Sequence, residues 1–244
     1  MNAPLKLEAQ PLYARVRAAL VGRLIARQWK PGQGIPSENA LAAELGVSQG
    51  TVRKALDEMT ASGLLVRRQG KGTFVAEAED QAILFRFYRL TADGAAEGET
   101  GFPRSTYLHK ESGLATQKET EFLSIRASAP VLRFERLRWQ GEAPLLWERL
   151  VLPQTQFEGL TETHDLPNNV YQFYGSQFCI IVARVEEKLK AVLADASVAG
   201  HLQIPTGTPL LRIDRQAIAL DETVVEWRRS LVRCDTHHYR NVLT

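Results

Sequence analysis

Several charged residues fall where an alternating strand would bury them. In Val131–Trp139, VLRFERLRW, the two-residue period puts Arg136 and Arg138 on one face with Leu132 and Phe134, and sends Val131, Leu137 and Trp139 to the other. Glu148 likewise shares a face with Leu146, Leu150 and Leu152, and Glu226 with Val224 and Val232. A charge on an apolar strand face costs free energy unless it is paired or turned to a ligand. The spacing allows cross-strand pairs, Arg136 with Glu148 and Arg215 with Glu226, and it equally allows a site that captures an anion. Nothing adds the means of catalysis or metal binding. His109, His164, His201, His237 and His238 have no ligand spacing, Cys179 and Cys234 lie 55 residues apart without a CxxC, and no motif sets a nucleophile beside a base. Free buried thiols, no metal and no cofactor are expected.

A different chemistry sits in Ser48–Ala61, SQGTVRKALDEMTA. Val52, Ala55, Leu56 and Met59 recur at i, i+3, i+4 and i+7, a stripe that faces a core. The opposite side carries Gly50, Arg53, Lys54 and Asp57 with Gln49 at its edge, a mostly donor-bearing face. Ser48 can cap the helix through the N–H of Gly50 or Thr51. Glycine weakens an exposed helix, so Gly50 is best understood if something large must approach closely, as a duplex groove would. An ordinary solvated face is the alternative for these residues alone.

The flanking segments favour the groove. A helix is expected over about Pro11–Arg27 with Leu12, Val16, Ala19, Leu20 and Leu24 inward, ended by Trp29-Lys30-Pro31-Gly32. Ser37 can cap a short second helix with Leu41, Ala42 and Leu45 inward, and Gly46-Val47 turns the chain into Ser48. Two short helices around a tight glycine turn make a helix-turn-helix. Strands at Leu64–Arg68 and Thr73–Ala76 then flank Gln69-Gly70-Lys71-Gly72, a wing tip able to lie along a phosphate backbone. Residues 1–76 hold 11 Lys and Arg against 5 Asp and Glu, whereas 77–244 hold 19 against 23. A basic head on an acidic body suggests a polyanionic partner for the head alone.

The body contains an internal repeat. Ala115, Leu123, Ile125, Pro130, Leu132, Arg133 and Arg136 return 79 residues later as Ala194, Leu202, Ile204, Pro209, Leu211, Arg212 and Arg215, and Glu148 returns at an offset of 78 as Glu226. Each copy reads helix, strand, tight turn, strand, which gives an α+β body with helices against antiparallel sheet. Arg138 has Ala217 as its counterpart, so it is left as the unmatched cation. Before the repeat, 77–82 reads as an acidic linker, Ile83–Leu90 as a strand and Thr91–Gly101 as a loop. The N-terminus has no signal-peptide pattern and no apolar run reaches the ~18 residues of a membrane span, so a bacterial-type cytoplasm is expected.

The head, in PLY, PGQGIPSENALAAELGVSQGTVRKALDEM and SGLLVRRQGKGTFV, resembles the winged helix-turn-helix domain of the GntR family of bacterial repressors over about residues 11–75. The resemblance implies base and phosphate contacts at Thr51 and Arg53, phosphate partners at Lys54, Arg67, Arg68 and Lys71, and further DNA contacts around Ser37, Asn39, Ser48, Gln49, Gly50, Gly70 and Gly72. Asn39 and Gln49 stand where the family usually has a basic residue, and glutamine pairs with adenine where arginine favours guanine. From about Phe85 to Tyr239 the chain resembles the UbiC transcription regulator-associated domain, of chorismate lyase fold, which marks the HutC-type branch. That resemblance implies an effector pocket with Arg136, Arg138, Glu148 and Glu226, with Asn169 in place of a serine, Ser105 as an earlier member and Val232 where sugar-phosphate sensors have an aromatic. The expected protein is a homodimeric repressor of 1–76 head, 77–82 linker and 83–244 body, bound to a palindromic double-stranded operator and released by a carboxylate- or phosphate-bearing metabolite. Glu148 and Glu226 would take the metabolite's hydroxyl or amino groups. A chorismate-lyase-like enzyme and a ligand-free DNA binder are the alternatives.

Overall fold

The computed structural model describes residues 11–26, 28–61, 63–76, 87–94, 103–178 and 180–242. The chain divides into two units, Met1–Arg86 and Phe87–Thr244. The linker expected over 77–82 lies outside the described residues, as do Cys179 and the first half of the strand expected at Ile83–Leu90; in its second half Phe87–Arg89 are not strand and Leu90 opens one.

In the first unit, α1 (Leu12–Ile25), α2 (Glu38–Leu45) and α3 (Gln49–Ala61) precede a hairpin of β1 (Leu65–Arg68) and β2 (Gly72–Val75). The α3 stripe is the core, with Val52, Ala55 and Met59 at 0% exposure and Leu56 at 1%. Burying each of the larger side chains contributes on the order of 1.5–3 kcal/mol. Val16, Leu20 and Leu24 of α1 and Leu41 and Ala42 of α2 close over that stripe, whereas Leu12 and Ala19 remain exposed. Capping fixes the turn. Ser37 accepts from the Ala40 N–H at 3.2 Å, and α2 stops at Gly46, whose φ of 65° suits a residue without a Cβ.

The second unit is a six-stranded antiparallel sheet in the order β4-β5-β6-β9-β8-β7. Its strands are β4 (Arg104–Leu114), β5 (Pro130–Gln140), β6 (Ala143–Pro153), β7 (Val182–Leu193), β8 (Pro209–Ala219) and β9 (Val224–Arg233). The repeat is visible in this order: β4, α4 (Gln117–Leu123), β5 and β6 correspond to β7, α6 (Ala196–Leu202), β8 and β9. Each copy therefore opens with a strand that the sequence reading omitted. One face of the sheet packs on α4 and α6 through Leu123, Val131, Val151 and Trp227 and through Leu137, Val198 and Leu202. The other carries Leu132, Phe134, Leu150 and Leu152, covered by Phe157, Leu166 and the helix α5 (Val170–Phe178). A small ladder of β3 (Leu90–Ala92) with β10 (His237–Tyr239) lays Leu90 on Leu145, Leu146, Ile213 and Val232. Thr91 and Ala92, expected in a loop, belong to that ladder. Cys234, expected to be buried, is a free and exposed thiol.

The helix α4 shows how charge is spent on architecture. Thr116 and Glu119 form a reciprocal capping box, and Arg133 grips the same carboxylate through Nε at 2.7 Å and Nη2 at 2.8 Å. Burial raises the Glu119 carboxyl, but the bonds from Arg133 and Thr116 outweigh it and bring it down to about 2. With an unfolded value of about 4.3, the native state binds this proton more weakly, so the stabilisation is present above that value and lost as pH falls toward 2. The melting temperature of Glu119→Gln should consequently fall less steeply than that of the wild type between about pH 5 and 2. Equal slopes in a calorimetric pH series would contradict this.

Candidate nucleic-acid interface and anion site

The exposed side of α3 begins at its cap. Ser48 Oγ accepts from the Thr51 N–H at 3.2 Å and lies 2.8 Å from Thr51 Oγ1, leaving Gln49, Gly50, Arg53 and Lys54 outward. A Cβ on Gly50 would meet nothing nearer than Ser48 Oγ at 4.0 Å, so no contact within the head requires glycine there. Asn39 is exposed on α2, and the wing tip Gly70-Lys71-Gly72 is exposed with φ of 71° and 111° at its glycines. The cations are less free than their sequence suggested. Glu38 accepts from Gln49 Nε2 at 3.2 Å, Arg53 Nε at 2.9 Å and Arg67 Nη2 at 3.2 Å, and Arg67 also reaches Asp57 at 2.7 Å. Lys54 Nζ stands 3.9 Å over the Tyr13 ring and Arg68 stacks on Phe74 at 4.8 Å. Exposed pairs of this kind are worth about 0–1 kcal/mol each, so a phosphate can replace them cheaply. Glu38 was missed because its three partners lie 11, 15 and 29 residues away.

In the body, antiparallel register sets Arg136 opposite Glu148, and an ion pair joins Arg136 Nε to Glu148 Oε1. The second pair expected from the repeat does not form. The second hairpin has one residue more at its turn than the first, so the residue that stands opposite Arg215 is Arg228, and Glu226 faces Ala217. Both hairpins bulge at the same place, past Arg138 in the first and past Ala217 in the second, where Val225 is left without a partner across the ladder. The same bulge separates Val224, which packs with Trp227 on the helix-covered face, from Glu226. Arg215 binds Glu187 of β7 at 2.6 Å and the carbonyl of Phe87 at 2.5 Å instead. Glu226 is held by Arg228 Nε and Nη2, both at 2.9 Å, by the Tyr174 hydroxyl at 2.7 Å and by that of Tyr171 at 3.2 Å. Arg228 went unnoticed although its place two residues beyond Glu226 puts both on one strand face.

Arg138 is not unmatched. It donates to Glu148 Oε1 at 3.4 Å, to the Pro103 carbonyl at 3.0 Å and to that of Asn168 at 3.4 Å, while Arg136 Nη1 reaches the Pro167 carbonyl at 3.3 Å. Arg228 Nη1 lies 3.6 Å from Glu148 Oε2, so three guanidiniums surround one carboxylate. Burial raises the Glu148 carboxyl, yet Arg136, Arg228 and Arg138 together bring it down to about 2. Burial in turn pushes Arg138 down to about 10, against the pull of Glu148. Ser105 is the register partner of Arg138 on β4, and Asn169 caps α5 by accepting from the Gln172 N–H at 3.4 Å. Val232 lies in the apolar floor beside Leu146, with Tyr88 packed against that cluster. Among the described residues no group of His, Cys, Asp and Glu is placed to hold a metal, and no helix is long and apolar enough to cross a membrane.

Comparison with known proteins covers both units. The profile of bacterial regulatory proteins of the gntR family matches residues 12–75, and that of the UTRA domain matches 99–238. The histidine utilization repressor of Pseudomonas aeruginosa is 31% identical over 207 residues, 84% of this chain and 81% of that one. The transcriptional repressor NagR of Bacillus subtilis is 26% identical over 237 residues, 96% of each. The crystal structure of PhnF from Mycobacterium smegmatis superposes with a TM-score of 0.55 at 26% identity, covering 94% of this chain and 99% of that one. With the winged head matched at one end and the two-copy sheet at the other, the chain belongs to the gntR family of bacterial regulatory proteins, in the branch that carries a UTRA domain.

Proposed function

We propose that this protein is a ligand-responsive transcriptional repressor that binds a palindromic operator as a homodimer and releases it when a small anion occupies the arginine-bearing face of its body. The observation that carries the proposal is the gathering of Arg136, Arg138 and Arg228 around Glu148 beneath the start of α5, in a chain whose other unit presents a helix-turn-helix. The relatives named as repressors of histidine utilization and as NagR support the assignment. Residues 1–76 would form the head and 83–244 the effector-binding and dimerising body, working in the bacterial cytoplasm. Effector binding shifts the population of operator-competent arrangements, by a coupling of typically ~1–3 kcal/mol. In a chorismate-lyase-like reading Glu148 would not be the general acid, because, against the effect of burial, Arg136, Arg228 and Arg138 hold its carboxyl well below the usual carboxylate range.

Selection of sites from random duplexes by the full-length protein tests the proposal. Inverted repeats should emerge, and Arg53→Ala should weaken the selected site by about 1–3 kcal/mol, roughly 5–150-fold, with relaxed preference at the base it reads. Uniform weakening at every position would make Arg53 a phosphate contact, and selection of no sequence at all would refute the operator.

A further inference from the structure

The anionic group that the body accepts can be narrowed further, on the footing of the ligand site proposed above. The carboxylates on this face are already engaged. Glu226 accepts from both nitrogens of the Arg228 fork and from two phenols, Glu148 Oε1 holds Arg136 and Arg138, and Glu187 takes Arg215 together with the Tyr239 hydroxyl. What remains unspent can donate. Arg136 Nη2, Ser105 Oγ and Asn169 Nδ2 are buried without a hydrogen-bond partner among the described residues, and Arg136 as a whole is 0% exposed. A buried donor left unsatisfied costs about 1–3 kcal/mol, more on a charged group, so these atoms favour a ligand that brings acceptors.

Charge points the same way. Arg136, Arg138, Arg215 and Arg228 face Glu148, Glu187 and Glu226, which leaves one formal positive charge over. The other titratable groups against these side chains, Tyr88, Tyr107, Tyr171, Tyr174 and Tyr239, are phenols that burial pushes above their ordinary value, so they add no charge near neutrality. A monoanion matches the excess, whereas a dianion would leave a negative charge buried without a counter-ion.

We propose that the effector is held here by a singly charged carboxylate, and that Glu148 and Glu226 are counter-ions of the arginines that receive none of its hydroxyl or amino groups. This departs from the roles expected of the two glutamates from sequence.

The test is a thermal-shift and calorimetric titration of the full-length protein with acetate, benzoate, inorganic phosphate and phenyl phosphate, at about pH 5.5 and about pH 8. The second ionisation of a phosphate monoester lies near 6. Acetate and benzoate should stabilise the protein alike at both pH values, and phenyl phosphate should bind at least ~10-fold more weakly at the higher pH, where it is a dianion. Ser105→Ala, which removes a hydroxyl without a partner, should leave the melting temperature of the free protein in place and weaken benzoate. Tighter binding of phenyl phosphate at about pH 8 than of benzoate would overturn the carboxylate assignment and leave the site standing. No response to any of the four anions would overturn the site itself.

Discussion

Arg228→Ala should destabilise the body by about 3–5 kcal/mol, the usual cost of stranding one member of a buried ion pair. Arg228 supplies both guanidinium bonds to Glu226, lies 3.6 Å from Glu148 and stacks 5.3 Å over the Tyr171 ring. Glu226 is 0% exposed, so after the change its carboxylate would keep only the two phenolic donors. For a unit of this size each kcal/mol moves the melting temperature by roughly 2–4 °C, which puts the expected fall at about 6–20 °C. Scanning calorimetry would detect it. Removing both charges, as Arg228→Met with Glu226→Gln, should cost less than the single change, because no uncompensated charge remains. A single variant that melts within a degree or two of wild type would show that Arg228 is not the counter-ion of Glu226.

Arg138→Ala should have the largest effect on ligand binding with a smaller one on the fold. Its bonds to Glu148 and the Asn168 carbonyl are both 3.4 Å long, and a third, at 3.0 Å, goes to the Pro103 carbonyl beside β4. Glu148 keeps Arg136 and Arg228 when Arg138 is gone, so the loss to the fold is smaller than that of Arg228→Ala. Acid stability conferred by Glu148 should therefore persist, with the loss still setting in as pH falls below about 4 toward 2, since a depressed carboxyl stabilises only above its unfolded value. A carboxylate ligand, by contrast, would lose a buried guanidinium, an effect of about 2–5 kcal/mol or at least ~30-fold in affinity by calorimetric titration. Unchanged ligand affinity in this variant would place the anion elsewhere.

Much of the architecture is legible in local pattern. The stripe Val52, Ala55, Leu56 and Met59, the caps at Ser37 and Ser48 and the turn at Gly46 are set by residues within a few positions of one another, and the structure has each of them. The 79-residue repeat likewise foretold two matching halves and the Arg136–Glu148 pair. What escaped depends on distant partners or on a single inserted residue. No motif marks the extra residue in the turn of the second hairpin, yet it sets Arg228 and not Glu226 opposite Arg215. The edge strand β4 alternates weakly because much of it is half-exposed on both faces, so its place at the head of the repeat was not apparent. Glu38 looks like an ordinary first-turn acid until folding brings Gln49, Arg53 and Arg67 to it.

The most direct test of the whole account is the anisotropy of a labelled operator duplex, obtained by site selection, titrated with the best carboxylate from the thermal screen against wild type and Arg138→Ala. Before ligand is added the two proteins should bind the duplex with the same affinity, since Arg138 belongs to the body. Wild type should then release the duplex as the carboxylate saturates, and the variant should hold it through the same range. Release of both proteins at one ligand concentration would contradict the claim that this buried arginine face is where the anion acts.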